Sequence, residues 1–275
     1  MTYEELRARA AEALPKAAFA YYDGTAGDGQ SGAEATLAWR SHRLRPHVLR
    51  DVAVVDTTTT VGGLGLPMPV LVAPSALHGL ACEGAERETV AGAYAGGALP
   101  VISTRASLPL EDMGLLPGRW WMQLYVLQDR GLTRELARRA VDLGAAALVV
   151  TGDAPVVSRR PADRGALPAA SLRTVPGVRP GESGSALVDG EQARDATFAD
   201  VEELVALAPV WVKGVLRADD AQAAADAGAT GVIVSNHGGR QLDGAVATAL
   251  ALPAVVAAFP GEVLVDGGIT AGATL

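Results

Sequence analysis

Short apolar segments that alternate with alanine-rich stretches constrain the fold of this chain more than any other feature. Each apolar segment is followed by a polar or glycine-rich turn and then by a helix-like pattern. The seven apolar segments cover residues 70–73, 99–103, 120–126, 147–151, 210–215, 231–235 and 263–265, and the helix-like stretches include 83–95, 131–143, 218–227 and 245–258. Apolar strands that alternate with helices are typical of a parallel sheet buried on both faces. Seven repeats within about 200 residues therefore favour an α/β fold of the (β/α)8 TIM barrel type over a doubly wound sheet.

The segments outside this alternation predict the accessory parts of one domain over residues 1–275. Residues 3–22 have the pattern of an amphipathic helix with a break at Pro15, and a glycine-rich turn at 23–29 ends it. We expect residues 1–65 to form a helical and loop segment that caps the barrel, and residues 66–275 to hold βα repeats one to seven. Residues 161–195, rich in Pro, Gly and Ser, have no clear period and predict a long active-site loop.

An eighth strand is not recognisable in the sequence, although a closed barrel of this type needs one. A barrel without it leaves two unpaired edges, which is an aggregation liability. We therefore expect either a shortened form of a longer protein or a barrel that is completed in another way.

Composition and charge limit the classes of partner. Of the 275 residues, 49% are hydrophobic and 20% are charged, and the net charge is -8, as in a globular protein. The acidic balance argues against nucleic-acid binding, which needs clustered Lys and Arg. No uncharged apolar run of about 18 residues is present, so we expect no membrane span. The N-terminus lacks the charge pattern of a secretory signal, and Cys82, the single cysteine, excludes an intrachain disulfide, so we expect a cytoplasmic protein.

The segments that follow the strands lie at the end of the predicted barrel where catalytic groups of such folds lie, and most of them carry polar residues. In chain order they are Pro74, Ser75 and Ala76, then Ser103, Thr104 and Arg105, then Gln123, Tyr125, Thr151, Asp153, Lys213, His237, Arg240, Asp266, Gly267 and Gly268. A histidine, a lysine, and several arginines and tyrosines at one end of a barrel can bind an anion and move a proton.

Taken one at a time, several of these residues have simpler explanations. His237 is consistent with a loop cap, Arg240 with a surface cation, and Asp153 with an ordinary loop former. Lys213 is different, because burying a lysine inside the apolar run 210–215 without a partner is costly.

The segment Ser235-Asn236-His237-Gly238-Gly239-Arg240-Gln241-Leu242-Asp243 resembles the active-site signature of the FMN-dependent 2-hydroxy acid oxidases and dehydrogenases. That family includes glycolate oxidase, lactate oxidase and mandelate dehydrogenase. Further matches, in order, are 14–16 with Tyr21-Tyr22, 73–76, 123–126, 151–155 with Arg159-Arg160, 212–215 and 266–269. The resemblance implies a TIM barrel of the FMN-linked oxidoreductase type that binds FMN. It also implies oxidation of an (S)-2-hydroxy acid to the 2-oxo acid, reoxidation of the flavin by oxygen or another acceptor, and a homotetramer.

The resemblance implies substrate-side roles for six residues. His237 is similar to the base that takes a proton from the α-carbon, or from the hydroxyl as hydride leaves, and imidazole suits this because its pKa lies near neutral pH. Asp153 resembles the carboxylate that orients this histidine. Arg240 and Arg160 look like the pair that clamps the substrate carboxylate, with Arg160 preferred to Arg159 by motif alignment. Tyr21 and Tyr125 resemble phenols that hydrogen-bond the substrate.

The resemblance also implies a cofactor side without any metal. Lys213 resembles the lysine whose charge stabilises the reduced flavin. The side chains that resemble hydrogen-bonding partners of the isoalloxazine are Ser103, Gln123 and Thr151. The backbone segment that resembles the one along the face of that ring is Ala73, Pro74, Ser75 and Ala76. Asp266, Gly267 and Gly268 resemble the ribityl and phosphate side, where glycine lets backbone amides approach a phosphate.

Two positions depart from the family pattern. Thr270 stands where relatives usually have an arginine that helps hold the phosphate. Arg105 stands where many relatives have a bulky aromatic that lines the substrate pocket, so we expect it to bind substrate and to alter substrate preference. The alternatives are an inactive family member that acts as a scaffold or binding protein, or another FMN-dependent barrel enzyme such as an isomerase.

Overall fold

A computed structural model describes residues 1–156, 158 and 192–274, and a parallel sheet forms its core. An antiparallel hairpin of β1 (Thr59–Val61) and β2 (Leu64–Leu66) precedes the sheet. The sheet strands are β3 (Leu71–Val72), β4 (Leu99–Ser103), β5 (Trp120–Leu124), β6 (Ala145–Thr151), β7 (Val210–Val215), β8 (Gly231–Val234) and β9 (Glu262–Val265). These seven strands are parallel and lie side by side in chain order, so β3 and β9 form the two edges of the described sheet.

Helices connect the strands and precede the sheet. They are α1 (Tyr3–Ala13), α2 (Lys16–Asp23), α3 (Gln30–Ser41), α4 (Glu86–Ala95), α5 (Leu110–Met113), α6 (Arg130–Asp142), α7 (Phe198–Val205), α8 (Ala218–Asp226) and α9 (Thr248–Ala258). Single 3₁₀ turns lie at His78–Leu80, His237–Gly239 and Gly272–Thr274. In the described part of the chain, no helix is both long enough and apolar enough to cross a lipid bilayer.

Strands β4 to β8 are buried on both faces of the sheet, which explains their continuous apolar sequences. Outward-facing side chains such as Met122 and Leu148 pack against helix residues such as Leu136 of α6, and all three are fully buried. Burying a side chain of this size stabilises a fold by about 1.5–3 kcal/mol. Successive strand residues point to opposite faces, so the alternate positions fill the interior of the curled sheet.

Two stacked tryptophans dominate this interior. Trp121 of β5 and Trp211 of β7 have ring centroids 4.2 Å apart and planes inclined by 31°. The turn of the β1–β2 hairpin lies against both rings, because a Cβ on Gly62 would come within 2.9 Å of each. A Cβ on Gly231 would overlap the indole nitrogen of Trp211, so β8 can pass this ring only as glycine. The hairpin thus closes one end of the interior and leaves the opposite end for the site.

The seven predicted strands and the break at Pro15 are confirmed, and β4 and β7 have the predicted bounds. Strand β3 covers only 71–72 instead of 70–73, and β5 ends at 124 instead of 126. Helix α3 lies within the predicted helical and loop segment 1–65 but is not predicted individually, and α5, α7 and the β1–β2 hairpin lie outside the predicted elements. The predicted boundary at 65/66 falls inside β2. Most of the predicted loop at 161–195 lies outside the described residues.

Candidate active site

A cleft of about 310 Å³ opens at the carboxyl ends of the strands, where catalytic groups of parallel barrels lie. It brings together most of the residues that the sequence singles out. Its lining includes Tyr21, Ala73, Pro74, Ser75, Ala76, Ser103, Arg105, Tyr125, Lys213, His237, Arg240, Asp266 and Gly267. Asp153 and Gln123 hydrogen-bond to residues of this lining, Thr151 hydrogen-bonds to Gln123, Gly268 follows Gly267, and Arg160 lies outside the described residues.

The loop after β8 presents His237 to the cleft through an unusual backbone conformation. His237 has a φ of 58°, and Gly238 and Gly239 follow at 65° and 69°, so three successive residues are left-handed. Only glycine adopts this region without strain. A Cβ on Gly239 would also lie 2.6 Å from the backbone nitrogen of Gly32, so the second glycine permits close packing against α3. The paired glycines therefore allow the turn that positions His237.

His237 is paired with Asp153, which follows β6. The imidazole Nδ1 lies 3.0 Å from Asp153 Oδ1, and the two side chains are 25% and 13% exposed. A Cβ on Gly214 would collide with the Asp153 side chain, so glycine at 214 leaves room for this carboxylate. A carboxylate at Nδ1 favours the tautomer with its proton there, which leaves Nε2 able to accept a proton. The pair has the form of an oriented base.

Lys213 is the buried cation of the cleft, and its charge is compensated. Its Nζ donates to Ser235 Oγ at 2.6 Å and lies 2.9 Å from Asp266 Oδ2. Burial lowers the pKa of this ammonium, but the Asp266 and Asp153 carboxylates outweigh burial and hold the pKa above its usual value. Ser235 Oγ also accepts the backbone N–H of His237 at 3.1 Å, so one hydroxyl links the cation to the histidine loop.

A buried hydrogen-bond network supports the cleft between β4 and β6. Ser103 Oγ donates to Gln123 Oε1 at 3.1 Å, and Gln123 Nε2 donates to Thr151 Oγ1 at 3.0 Å. The Thr104 backbone N–H also donates to Gln123 Oε1 at 3.2 Å. Ser103 lines the cleft, and its hydroxyl is oriented by Gln123, which Thr151 holds in turn.

Arg240 joins the histidine loop to the C-terminus of α2. Its Nη1 donates to the backbone carbonyls of Tyr22 and Gly24 at 2.7 and 2.6 Å, and its Nη2 donates to that of Tyr21 at 2.7 Å. A guanidinium here satisfies carbonyls that the helix end leaves open and complements the helix dipole. The guanidinium carbon also lies 5.6 Å from the Tyr21 ring centroid. Arg240 therefore fixes α2 and the Tyr21 ring at the cleft.

Arg105 and Tyr125 form a second cation–aromatic pair on the cleft wall. The guanidinium carbon lies 4.5 Å from the Tyr125 ring centroid, and Nη2 donates to Gln192 Oε1 at 2.9 Å. Burial raises the pKa of Tyr125, and the positive charges of Arg105 and Lys213 oppose that shift. The phenol is therefore a neutral hydrogen-bond donor at neutral pH.

Comparison with known proteins matches this arrangement to one family. A family model described as FMN-dependent dehydrogenase matches residues 10–274. L-lactate oxidase from Nostoc sp. is 42% identical over 98% of this chain and 79% of its own length. Glycolate oxidase from Spinacia oleracea is 38% identical over 98% of this chain and 77% of its own. The chain belongs to the FMN-dependent 2-hydroxy acid oxidase family.

The solved structures of relatives confirm the barrel type for this family member. A crystal structure of mandelate oxidase matches it with a TM-score of 0.91 at 36% identity, over 99% of this chain and 80% of the oxidase chain. Mandelate oxidase with (S)-4-hydroxymandelic acid gives the same TM-score of 0.91. The seven strands described here therefore belong to a TIM barrel of the FMN-linked type, and the chain is an oxidoreductase by family.

The residues of this 2-hydroxy acid oxidase family member fit FMN, the cofactor of the family. Asp266 Oδ1 is buried and has no hydrogen-bond partner among the described residues, and buried acceptors of this kind normally have one. Ser235 and Asp266 take two of the three N–H donors of Lys213, which leaves a third for a ligand. The backbone from Ala73 to Ala76 lines the same cleft. The set offers a buried cation, a buried acceptor and a backbone wall for a flavin ring.

The glycine pair after β9 is only partly at the cleft. Gly267 lines the cleft, and its carbonyl accepts the Trp39 indole N–H at 2.8 Å. A Cβ on Gly268 would lie 2.6 Å from the backbone carbon of Ala35, so Gly268 lets α3 pack closely against the end of β9. Here the glycines hold α3, a role that the sequence does not reveal.

Sequence reasoning missed three side chains that hold parts of the site in place. Asn236 Oδ1 accepts the Gly239 N–H at 3.2 Å and closes the histidine turn. Asp243 accepts the backbone N–H groups of Asp28, Gly29 and Ser31 at 2.8–3.1 Å, and so caps the N-terminus of α3. These hydrogen bonds hold the pKa of Asp243 below its usual value, with that from Ser31 contributing most. Gln192 is the third: its amide donates to the Ala154 carbonyl. Asn236 and Asp243 lie inside the signature itself, and their place there was the sequence signal that could have identified them.

Proposed function

We propose that this chain oxidises an (S)-2-hydroxy acid to the corresponding 2-oxo acid. The observation that carries the proposal is the pair of His237 and Asp153, with Nδ1 3.0 Å from Oδ1, at a cleft that fits FMN. Net oxidation of R–CHOH–COO⁻ to R–CO–COO⁻ removes two electrons and two protons from the substrate. FMN, when bound, would accept the two electrons and one of the protons, and His237 would take the other proton.

His237 is the proposed base. Its Nε2 takes one substrate proton, either from the α-carbon or from the hydroxyl as hydride leaves. Asp153 holds the ring in the required tautomer and stabilises the imidazolium that forms, because the carboxylate lies at the protonated Nδ1. A positioned general base of this kind contributes about 10²–10⁴-fold to a rate.

Arg240 is the proposed carboxylate ligand, together with Arg160. Arg240 already lies on the cleft wall, held by three carbonyls at the end of α2. This prior fixation lowers the entropy that a flexible arginine would lose on binding substrate. Tyr21 and Tyr125 line the same cleft and are the proposed donors to the substrate carboxylate and hydroxyl.

Lys213 is the proposed electrostatic partner of the reduced cofactor. Its ammonium is buried, carries a raised pKa and so keeps its charge at neutral pH. A fixed cation of this kind favours an anionic ring over a neutral one. Oxygen or another acceptor then takes the electrons, and we expect the active form to be a homotetramer in the cytoplasm.

The test is an FMN titration followed by anaerobic reduction. Purified protein should take up FMN and become yellow, and (S)-lactate or (S)-mandelate should bleach the flavin while the (R) forms should not. Protein that does not take up FMN, or bound flavin that stays oxidised with every 2-hydroxy acid tried, contradicts the proposal. Oxygen consumption in air then distinguishes an oxidase from a dehydrogenase.

A further inference from the structure

Arg105 is a cation held at the cleft by neutral groups. Its side chain lines the cleft directly after β4, with the guanidinium stacked on the Tyr125 ring at 4.5 Å. Its Nη2 donates to Gln192 Oε1, and the Gln192 amide nitrogen donates to the Ala154 carbonyl, so the glutamine presents its carbonyl oxygen to the arginine. An aromatic face and an amide dipole orient the guanidinium without neutralising it.

Two other titratable groups at this site have charged partners. Lys213 pairs with Asp266, and His237 pairs with Asp153. Across residues 1–156, 158 and 192–274, no carboxylate forms an ion pair with Arg105. Its Nε is buried and also lacks a hydrogen-bond partner within these residues. A charge held this way is costly unless an anion compensates it, which points to a ligand that supplies the anion.

Strand order places Arg105 away from the proposed carboxylate ligand. Arg105 follows β4 and Arg240 follows β8, and the strands β5, β6 and β7 lie between them in the sheet. In an eight-stranded barrel, strand ends that are four places apart lie on opposite sides of the mouth, and both arginines line the same cleft. A molecule with a carboxylate at each end can therefore meet one arginine with each end.

We propose that the cleft selects 2-hydroxy acids that carry a second, distal carboxylate, and that Arg105 binds that carboxylate. This assignment rests on the function proposed above, because Arg240 is taken to hold the carboxylate next to the reacting carbon. Oxidation of such a substrate removes two electrons and two protons at the hydroxyl-bearing carbon and leaves the distal carboxylate unchanged. Malate and 2-hydroxyglutarate are the four- and five-carbon members of this class.

The first test measures binding without turnover. Calorimetry of the FMN-loaded protein compares succinate with butyrate, which differ by a carboxylate in place of a methyl group and which carry no hydroxyl to oxidise. Succinate should bind about 10- to 100-fold more tightly, the usual range for one charge-assisted hydrogen-bonded pair. Arg105→Leu and Arg105→Gln should each abolish that ratio, and Arg105→Lys should retain part of it.

The second test measures selectivity in turnover. The ratio of kcat/KM for (S)-malate over (S)-2-hydroxybutyrate, and for (S)-2-hydroxyglutarate over (S)-2-hydroxyvalerate, should exceed 1 in the wild type. In Arg105→Leu the larger of the two ratios should fall about 10- to 100-fold. Arg119→Leu is the control for the loss of one positive charge, because Arg119 is exposed and precedes β5 at the opposite end of the barrel.

The outcomes separate this inference from the proposed function. Flavin reduction by monocarboxylic 2-hydroxy acids, with no preference for dicarboxylates and no change of ratio in Arg105→Leu, overturns the inference and leaves the function standing. A succinate preference that depends on Arg105, without flavin reduction by any 2-hydroxy acid, overturns the function and retains Arg105 as the site of a distal carboxylate. Equal ratios in Arg105→Leu and Arg119→Leu also overturn the inference.

Discussion

Replacing Asp153 with asparagine tests the electrostatic half of the proposed base. The carboxylate lies 3.0 Å from His237 Nδ1, and the two side chains are only 13% and 25% exposed, so solvent screens the pair weakly. At an effective dielectric of about 20, two unit charges at this separation attract by roughly 5 kcal/mol, which is an upper bound for the imidazolium state. A hydrogen bond to a charged group contributes about 1.5–3 kcal/mol after solvent exchange.

That range predicts the loss of rate in Asp153→Asn. It corresponds to about 10- to 150-fold in the anaerobic rate of flavin reduction at saturating 2-hydroxy acid. The asparagine amide can also donate to Nδ1, which favours the tautomer with its proton on Nε2 and so removes the base. Stopped-flow absorbance of the FMN-loaded variant measures the rate, and equal FMN content in the two proteins shows that the cleft is intact.

The control for this variant is Asp142→Asn, because the Asp142 side chain on α6 is 63% exposed and remote from the cleft. It should reduce flavin at the wild-type rate. Reduction by Asp153→Asn at the wild-type rate, with full FMN content, would refute the reasoning that the carboxylate assists His237.

The remaining predictions concern stability. Gly231→Ala should destabilise the fold by about 1–3 kcal/mol in urea unfolding, because its methyl group overlaps the Trp211 indole. Lys213→Met should lower the free energy of unfolding by about 3–5 kcal/mol, since it leaves Asp266 as an unpaired carboxylate. Adding Asp266→Asn should recover part of that loss. Because the pKa of Lys213 is raised, its contribution to the stability of the wild type is complete below a pH of about 10.4 and is lost as the pH rises further. Asp243→Ala should speed amide exchange in α3 at pH 7, and the difference from wild type should narrow below pH of about 3.9, because the pKa of Asp243 is lowered.

Each stability prediction has a matched comparison. Gly65→Ala is the control for Gly231→Ala, because a Cβ at Gly65 meets no atom within 4 Å. It should leave the free energy of unfolding unchanged. Equal stability of the Lys213→Met single variant and the wild type would contradict the role of the buried pair. Asp112→Ala, which removes a carboxylate paired with Arg87 away from α3, should leave amide exchange in α3 unchanged. Unchanged α3 exchange in Asp243→Ala would remove the capping role.

The parts of the fold that follow a local pattern were predictable from sequence. Strands β4 and β7 have the predicted bounds, because both faces of the sheet are buried and the strands are therefore continuously apolar. Helix α3 was not predictable in this way, since its own residues supply no N-terminal side-chain cap. Asp243, more than 200 residues later in the chain, supplies that cap instead. The same applies to the β1–β2 hairpin, which is polar at Thr59 and Thr60 and is held by packing of its turn on the two tryptophans.

The site divides in a similar way. The family resemblance predicted that His237, Asp153 and Lys213 would belong to one site, and the structure brings the three together: His237 and Lys213 line the cleft, and Asp153 hydrogen-bonds to His237. The link from Arg105 to Gln192 joins residues 87 positions apart, and a hydrogen bond between such distant polar side chains leaves no periodic trace in a sequence. Likewise, the contacts of Arg240 with backbone carbonyls depend on where α2 ends, not on which side chains it carries.

The anaerobic rate of flavin reduction in His237→Ala tests the central claim most directly. Wild-type and variant protein are loaded with FMN to equal absorbance and mixed with the (S)-2-hydroxy acid that reduces the wild type fastest. Loss of a positioned general base predicts a rate about 10²–10⁴-fold lower in the variant, with the flavin still bound. A variant that binds FMN and is reduced as fast as the wild type would contradict the account.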